Sequence, residues 1–210
     1  MAQLAADGVI AYPTETVWGL GACADRAQAI DRLFAWKGRA HHQPLAVLVA
    51  SPAAATALGC ELNAHAQRLA EQFWPGPLML ITACRGRFAP GVAREDGALG
   101  LRCSPHPVAR ALTLRLAREG LGPLTSTSLN RSGDPPARRL EAAIREVGIA
   151  ASRRQVGAPI DPAKPLLVAP SGYDAGGGVP STVVDCTKPM PEILREGAIG
   201  RAELVRVWSA

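Results

Sequence analysis

Val9-Ile10-Ala11-Tyr12-Pro13-Thr14-Glu15-Thr16-Val17-Trp18-Gly19-Leu20-Gly21 decides the fold class. Its first four residues form an apolar run of strand length, preceded by a helical end that Gly8 stops, and the run delivers a turn rich in hydroxyls. Strand and helix signals alternate from there. Asp25 with Gln28 has the form of a capping box, and Ile30, Leu33 and Phe34 share a helical face that ends near Lys37-Gly38-Arg39. Leu45 to Ala50 reads as a strand, Asn63 to Phe73 as a helix stopped by Trp74-Pro75-Gly76-Pro77, and Leu78 to Ala83 as a further strand. Beyond them come a strand over Ala98 to Cys103, a helix from Val108 to Glu119, a strand from Pro123 to Thr127 and a helix from Arg138 to Val147. Val183-Val184-Asp185 and Glu192-Ile193-Leu194 read as late strands, and Ala202 to Trp208 as a closing helix. This alternation predicts an α/β sheet covered by helices.

The 210 residues suit one domain over 1–210, with no repeat or linker to divide it. An apolar share of 48% and a charged share of 20% are those of a compact globular protein. No basic leader precedes an apolar run, and no apolar stretch approaches the roughly eighteen residues that span a bilayer, so no membrane is expected. The five cysteines are scattered without close pairs and read as reduced core thiols of a cytoplasmic protein. A net charge of +5 favours anionic partners, which include nucleic acid, ATP, pyrophosphate and carboxylates alike.

No phosphate-loop, dinucleotide or zinc-helix motif occurs, and the four histidines lack ligand spacing. Four polar clusters stand instead where apolar elements end. The Pro13 to Gly21 stretch is one, and its plain reading is a hydroxyl-capped turn. Lys37-Gly38-Arg39, with Gln43 close behind, sets two cations on one turn; such a pair converges on a polyanion or merely closes a helix. Ser126-Thr127-Ser128-Leu129-Asn130 places Ser126, Ser128 and Asn130 on one side of a strand end. The fourth runs from Gly176-Gly177-Gly178 through Ser181 to Arg195, where glycine N–H groups are available to phosphate oxygens. Ala158 to Pro180 reads either as a flap over a site or as a surface insertion.

In order along the chain, Tyr-Pro-Thr-Glu-Thr-Val-Trp-Gly-Leu-Gly, Lys-x-Arg, Trp-Pro-Gly-Pro-Leu, Leu-Arg-Cys-Ser-Pro-His-Pro, Ser-Thr-Ser-Leu-Asn-Arg-Ser-Gly, Ser-Thr-Val-Val-Asp and Ile-Leu-Arg-Glu-Gly-Ala-Ile resemble the motifs of the YrdC family of threonylcarbamoyl-AMP synthases. The resemblance runs from about Gly8 to Leu204 and to the family's short form. Ala40 stands where the family usually has Pro, followed by His41 and His42; Leu129 replaces a usual Ala; Ala158 to Gly172 aligns poorly. The resemblance implies a twisted mixed sheet flanked by helices around a cationic cleft. It also implies ATP, L-threonine and bicarbonate as substrates and Mg2+ on the pyrophosphate, for which the sequence names no protein ligand. Lys37 and Arg39 would be catalytic and would bind ATP with Gln43, Ser128, Asn130 and Arg195. Thr16, Arg102, Ser126 and Ser181 would hold threonine, Arg102 on its carboxylate, with Glu15 a candidate base or a group that supports the residues touching substrate. Partners so implied are the enzymes that transfer the threonylcarbamoyl group to tRNA, with direct tRNA contact as a further possibility. Two other readings compete: a non-catalytic tRNA- or double-stranded-RNA-binding protein, and a carbamoyl-transfer domain.

Overall fold

The computed structural model describes residues 1–40, 43–148 and 160–209. His41, His42 and the first two residues of the 158–180 segment therefore lie outside the described residues. Nine strands, β1 (Ile10–Pro13), β2 (Trp18–Gly21), β3 (Ala46–Leu48), β4 (Leu78–Ala83), β5 (Ala98–Arg102), β6 (Thr125–Ser128), β7 (Leu166–Leu167), β8 (Thr182–Asp185) and β9 (Glu192–Arg195), form one sheet in the order β7-β1-β2-β6-β3-β5-β4-β8-β9. Three parallel pairs (β1 with β7, β3 with β5, β4 with β8) stand among five antiparallel ones, so the sheet is mixed. Among the described residues the helices are α1 (Ala2–Ala5), α2 (Ala27–Lys37), α3 (Pro52–Ala57), α4 (Ala64–Phe73), α5 (Pro107–Glu119), α6 (Leu140–Val147) and α7 (Arg201–Trp208).

Side-chain alternation divides the two faces of this sheet. Leu78 and Leu80 of β4, Leu99 and Leu101 of β5, Val47 of β3 and Val184 of β8 enter the main core, where Ile30, Leu33 and Phe34 of α2, Leu69 of α4 and Leu204 of α7 meet them. Each such fully buried aliphatic or aromatic side chain contributes about 1.5–3 kcal/mol. The opposite face is only half covered. Ile10, Tyr12, Leu48 and Leu124 pack under Val108 and Leu116 of α5 in a second, smaller core. The other half, carrying Met79, Ile81, Gly100 and Arg102, is left to a cavity.

Thr82 faces the main core from β4, and its Oγ1 is buried with no hydrogen-bond partner among the described residues. An unsatisfied buried hydroxyl costs about 1–3 kcal/mol. Thr82→Val is accordingly expected to raise the unfolding free energy by about 1 kcal/mol in a urea titration; a lower midpoint would show that the hydroxyl has a partner.

Several expectations are corrected. The Asp25 capping box does not form: α2 begins at Ala27 with Arg26 as N-cap and no side-chain cap bond. The Asp25 carboxylate lies instead against Gly122, where an added Cβ would meet its oxygen at 2.3 Å. Cys60 and Cys84, expected to be reduced, form a disulfide across an isolated antiparallel bridge, while Cys23, Cys103 and Cys186 are free and buried. The strand expected over Pro123 to Thr127 begins at Thr125 and reaches Ser128.

Candidate active site

Local capping delivers the first two cations. Gly38 takes the left-handed conformation at φ 62° that glycine adopts without strain, and the Gly38 and Arg39 amides donate back to Ala35 O and Phe34 O. Lys37 therefore rides the last helical turn toward β6, while Arg39 is thrown clear of it. Lys37 is only 3% exposed, and its ammonium donates to Ser128 O at 2.6 Å, Asn130 O at 3.0 Å and Asn130 Oδ1 at 3.1 Å. Ser128 Oγ donates to the same Asn130 Oδ1 at 2.6 Å, and Asn130 Nδ2 donates to Asp134 O. Ser132 N on Lys37 O and the Arg131 guanidinium 4.4 Å over the Trp36 ring fasten the loop to α2. Burial, reinforced by the nearby Arg39 charge, pushes the Lys37 pKa down to about 8.

The cavity on the bare half of the sheet has a volume of about 430 Å3. Four arginines line it: Arg39, Arg94, Arg102 and Arg195. Among the described residues no carboxylate appears in the lining. Arg102 reaches it from the end of β5; it pairs with Glu15 Oε1 and donates to Thr16 Oγ1 at 3.4 Å, and its Nε is buried without a partner. Ser104 donates to the other Glu15 oxygen. Arg39 donates to Thr127 Oγ1 at 3.3 Å and Pro44 O at 3.0 Å, and its Nε is likewise buried and unpartnered. Arg195, exposed at the rim, donates from Nε and Nη2 to Ser181 O. Arg94 is held by Asp96 and by Asp185 Oδ2 at 2.6 Å. Among the described residues, Arg39 and Arg195 thus have no carboxylate partner.

Of the residues singled out from sequence, Thr16, Arg39, Arg102, Ser126, Ser128, Ser181 and Arg195 share this lining. Lys37 and Asn130 stand directly behind Ser128 rather than in it. For Lys37 to meet a phosphate, one of its three bonds must be exchanged for a phosphate oxygen. Gln43 is exposed outside the lining, next to Pro44, which belongs to it. Glycine N–H groups expected to face phosphate are engaged otherwise: Gly176 and Gly178 donate to Thr14 O and Thr16 O. The segment before them runs along the sheet as β7 and then docks on the Thr14–Thr16 turn.

Sequence reading missed Arg94, because Arg94-Glu95-Asp96 looks like a solvated charge run. It also missed the floor. Gly19 of β2 and, across β6, Ala46 of β3 and Gly100 of β5 are small residues, flanked by Met79 and Ile81 of β4. Met79 and Ile81 sit in the continuous apolar run of β4, where the period-two direction of strand side chains was the available signal.

Fold and cavity together define a mixed-sheet α/β protein with an arginine- and hydroxyl-lined cavity on the open half of its sheet. The chain belongs to the Sua5/YciO/YrdC family, whose model, described as telomere recombination, matches residues 2–197. A threonylcarbamoyl-AMP synthase of Bacillus subtilis is 31% identical over 207 residues, covering 98% of this chain and 54% of that protein. The threonylcarbamoyl-AMP synthase of Stenotrophomonas maltophilia is 39% identical over 144 residues, covering 67% and 75%. Among solved structures, Pyrococcus abyssi Sua5 complexed with L-threonine superposes with a TM-score of 0.77 at 28% identity, over 98% of this chain and 55% of that one. The chain thus spans little more than half the length of two of these proteins. No helix among the described residues is long and apolar enough to cross a membrane.

Proposed function

We propose that this chain is an L-threonylcarbamoyladenylate synthase, joining L-threonine, bicarbonate and ATP into threonylcarbamoyl-AMP and pyrophosphate for threonylcarbamoyladenosine modification of tRNA. The observation that carries this reading is the lining itself: Arg39 and Arg195 without carboxylate partners, and unpartnered buried Nε donors on Arg39 and Arg102, beside the hydroxyls of Thr16, Ser126 and Ser181. Buried donors left without acceptors are what an absent anion would satisfy. Relatives named threonylcarbamoyl-AMP synthase support the choice of anions.

In this reaction the threonine amine attacks the carbon of bicarbonate, water leaves, and a carbamate forms. A carbamate oxygen then bonds to the α-phosphorus as the bond to the bridging oxygen breaks, and pyrophosphate carries that electron pair away. Every reactant is anionic, so rate comes from positioning and from charge placed where negative charge develops. In this reading Arg39 faces the transferring phosphoryl group and Arg195 the triphosphate at the rim. Lys37 stands as a fixed charge behind Ser128, holding Ser128 and Asn130 toward the nucleotide. Arg102 takes the threonine carboxylate through its remaining donors, with Thr16, Ser126 and Ser181 around it. Glu15 is bonded to Arg102 and Ser104, which supports a role in orienting Arg102 over that of a base.

Among the described residues no group of three His, Cys, Asp or Glu side chains stands ready for a metal. Among the described residues the cavity lining carries no carboxylate that would hold a magnesium ion there. Mg2+ belongs in this scheme to the triphosphate, as part of the substrate. A cytoplasmic setting, a contact with tRNA and hand-over of the labile product to the enzymes that modify tRNA follow from the same proposal. The setting rests on the substrates and no longer on the cysteines. The continuous sheet supports treating 1–210 as one domain.

The test is pyrophosphate release from ATP and Mg2+ with threonine and bicarbonate each present or omitted, followed by mass analysis. Release that needs both, with threonylcarbamoyl-AMP among the products, is the expected result. No release in any combination, together with salt-sensitive RNA binding, would replace this reading by the RNA-binding one.

A further inference from the structure

Trp18 is fully buried, and the only hydrogen-bonding group on its side chain is the indole N–H. That donor needs an acceptor, and it finds one outside its own strand: Asp174 Oδ1 at 2.8 Å. Asp174 is an exposed residue of the glycine-rich segment, yet it is tied to three separate elements. Its Oδ2 accepts from the Leu140 amide at the start of α6 at 3.2 Å. Its carbonyl accepts from His106 Nε2 at 2.9 Å, while His106 Nδ1 accepts from Val108 N at the start of α5. A neutral His106 protonated on Nε2 satisfies both bonds at once.

The strap beyond Asp174 runs along the cavity wall. The Gly176 and Gly178 amides bond Thr14 O and Thr16 O, each at 2.9 Å. Gly176 approaches so closely that a Cβ there would meet Glu15 O at 2.5 Å. The Glu15 side chain in turn holds Arg102 and Ser104, and two residues beyond Gly178 the strap enters the lining as Pro180 and Ser181. A chain of contacts therefore runs from Asp174 through the strap backbone to the turn that orients Arg102.

We propose that Asp174 is a positioning residue: by knotting the strap to Trp18, α5 and α6, it holds residues 176–181 against the Thr14–Thr16 turn and so sets the geometry of the amino-acid half of the cavity. The proposal rests on the synthase reading for its substrate, but not for its structural content. The nucleotide half, built from Arg39, Ser128 and the Lys37–Asn130 network, meets the knot through the β2–β6 backbone pairing, where Leu129 N donates to Trp18 O at 2.8 Å, while the hydrogen bonds of Asp174 itself go to Trp18, Leu140 and His106.

Asp174→Ala is expected to raise the KM for threonine at least ten-fold while the KM for ATP and the melting temperature change little. Hydrogen–deuterium exchange should quicken in peptides covering 14–18 and 174–181 and at Leu140, whose amide loses its acceptor, and not through the rest of the chain. Trp18→Phe, which removes the indole donor together with part of a buried ring, should give a smaller change of the same pattern with an added loss of melting temperature from the cavity it leaves. Gly176→Ala should reproduce the full effect by forcing the strap off Glu15 with Asp174 intact. An unchanged threonine KM with unchanged local exchange in Asp174→Ala would overturn the proposal, as would faster exchange throughout the chain with kcat, both KM values and melting temperature falling off together. If wild type releases no pyrophosphate at all, the synthase reading fails, whereas faster exchange confined to 14–18, 174–181 and Leu140 still supports the knot and its absence still refutes it.

Discussion

Arg39→Ala and Lys37→Ala are each expected to lower kcat/KM for ATP by about thirty-fold to a thousand-fold, equivalent to roughly 2–4 kcal/mol of transition-state stabilisation. The two losses have different origins. Arg39 lines the cavity without a carboxylate partner, so its removal takes a guanidinium from where charge develops on the phosphoryl group. Lys37 is behind the lining, and its removal leaves Ser128 O, Asn130 O and Asn130 Oδ1 without their common donor. The Ser128–Asn130 segment should then relax, so Lys37→Ala should lose both rate and thermal stability where Arg39→Ala loses mainly rate. Wild-type turnover in both variants would remove the proposed phosphoryl site.

The depressed Lys37 pKa gives the same network a pH signature. Only the ammonium can donate to all three oxygens, so kcat/KM should show an alkaline limb near pH 8, the value for the free protein. Stability responds with the opposite sign. Below about 8 both folded and unfolded chains hold the proton, and the cost of burying the charge is fully present. Between about 8 and the ordinary 10.5 the folded chain releases a proton that the unfolded chain still holds, so this group's contribution to stability rises with pH. A fall in activity through pH 8 without a fall in the urea midpoint is therefore the expected pair of results. Activity that stays flat to pH 10 would mean that the ammonium charge is not used.

How far these elements could be read in advance depended on whether local pattern and tertiary demand agreed. Leu45 to Ala50, Leu78 to Ala83 and Ala98 to Cys103 are apolar runs that also end as buried strands, and each lies within two residues of its expected bounds. Trp18-Gly19-Leu20-Gly21 was hidden because two glycines read as turn punctuation. In the sheet they permit close approach: a Cβ on Gly21 would meet Thr125 O at 2.3 Å, and one on Gly19 would press the Tyr12 ring. Asp25 had the local form of a cap, but packing placed its carboxylate on Gly122. The Cys60–Cys84 pair is separated by 24 residues, a spacing that carries no signal of its own. At the cavity, residue types ending strands were legible as a group, since strand ends on one side of a sheet converge. Which donors remain available was not legible. The Gly176 and Gly178 amides go to Thr14 and Thr16, the Lys37 protons go to Ser128 and Asn130, and Asp174 is one acid among many in the sequence although it anchors three elements.

Arg102→Ala should act chiefly on threonine, raising its KM by about ten-fold to 150-fold, the worth of a charge-assisted hydrogen bond of roughly 1.5–3 kcal/mol. Removing the guanidinium does more than delete a contact. It leaves the Glu15 carboxylate, whose side chain is 15% exposed, with the Ser104 hydroxyl as its remaining side-chain partner and with a negative charge near the place proposed for the threonine carboxylate. Breaking one side of such a pair is more damaging than removing both. The double variant Arg102→Ala/Glu15→Ala is therefore expected to recover part of the lost threonine affinity and stability that Arg102→Ala alone forfeits. Arg102→Lys should restore little, because an ammonium cannot serve Glu15 and a second carboxylate through one planar fork. Threonine titrations of the three variants, without ATP, check this directly. Unchanged threonine binding in Arg102→Ala would remove Arg102 from the amino-acid site, and a double variant weaker than Arg102→Ala would show that Glu15 itself binds substrate rather than orienting its arginine.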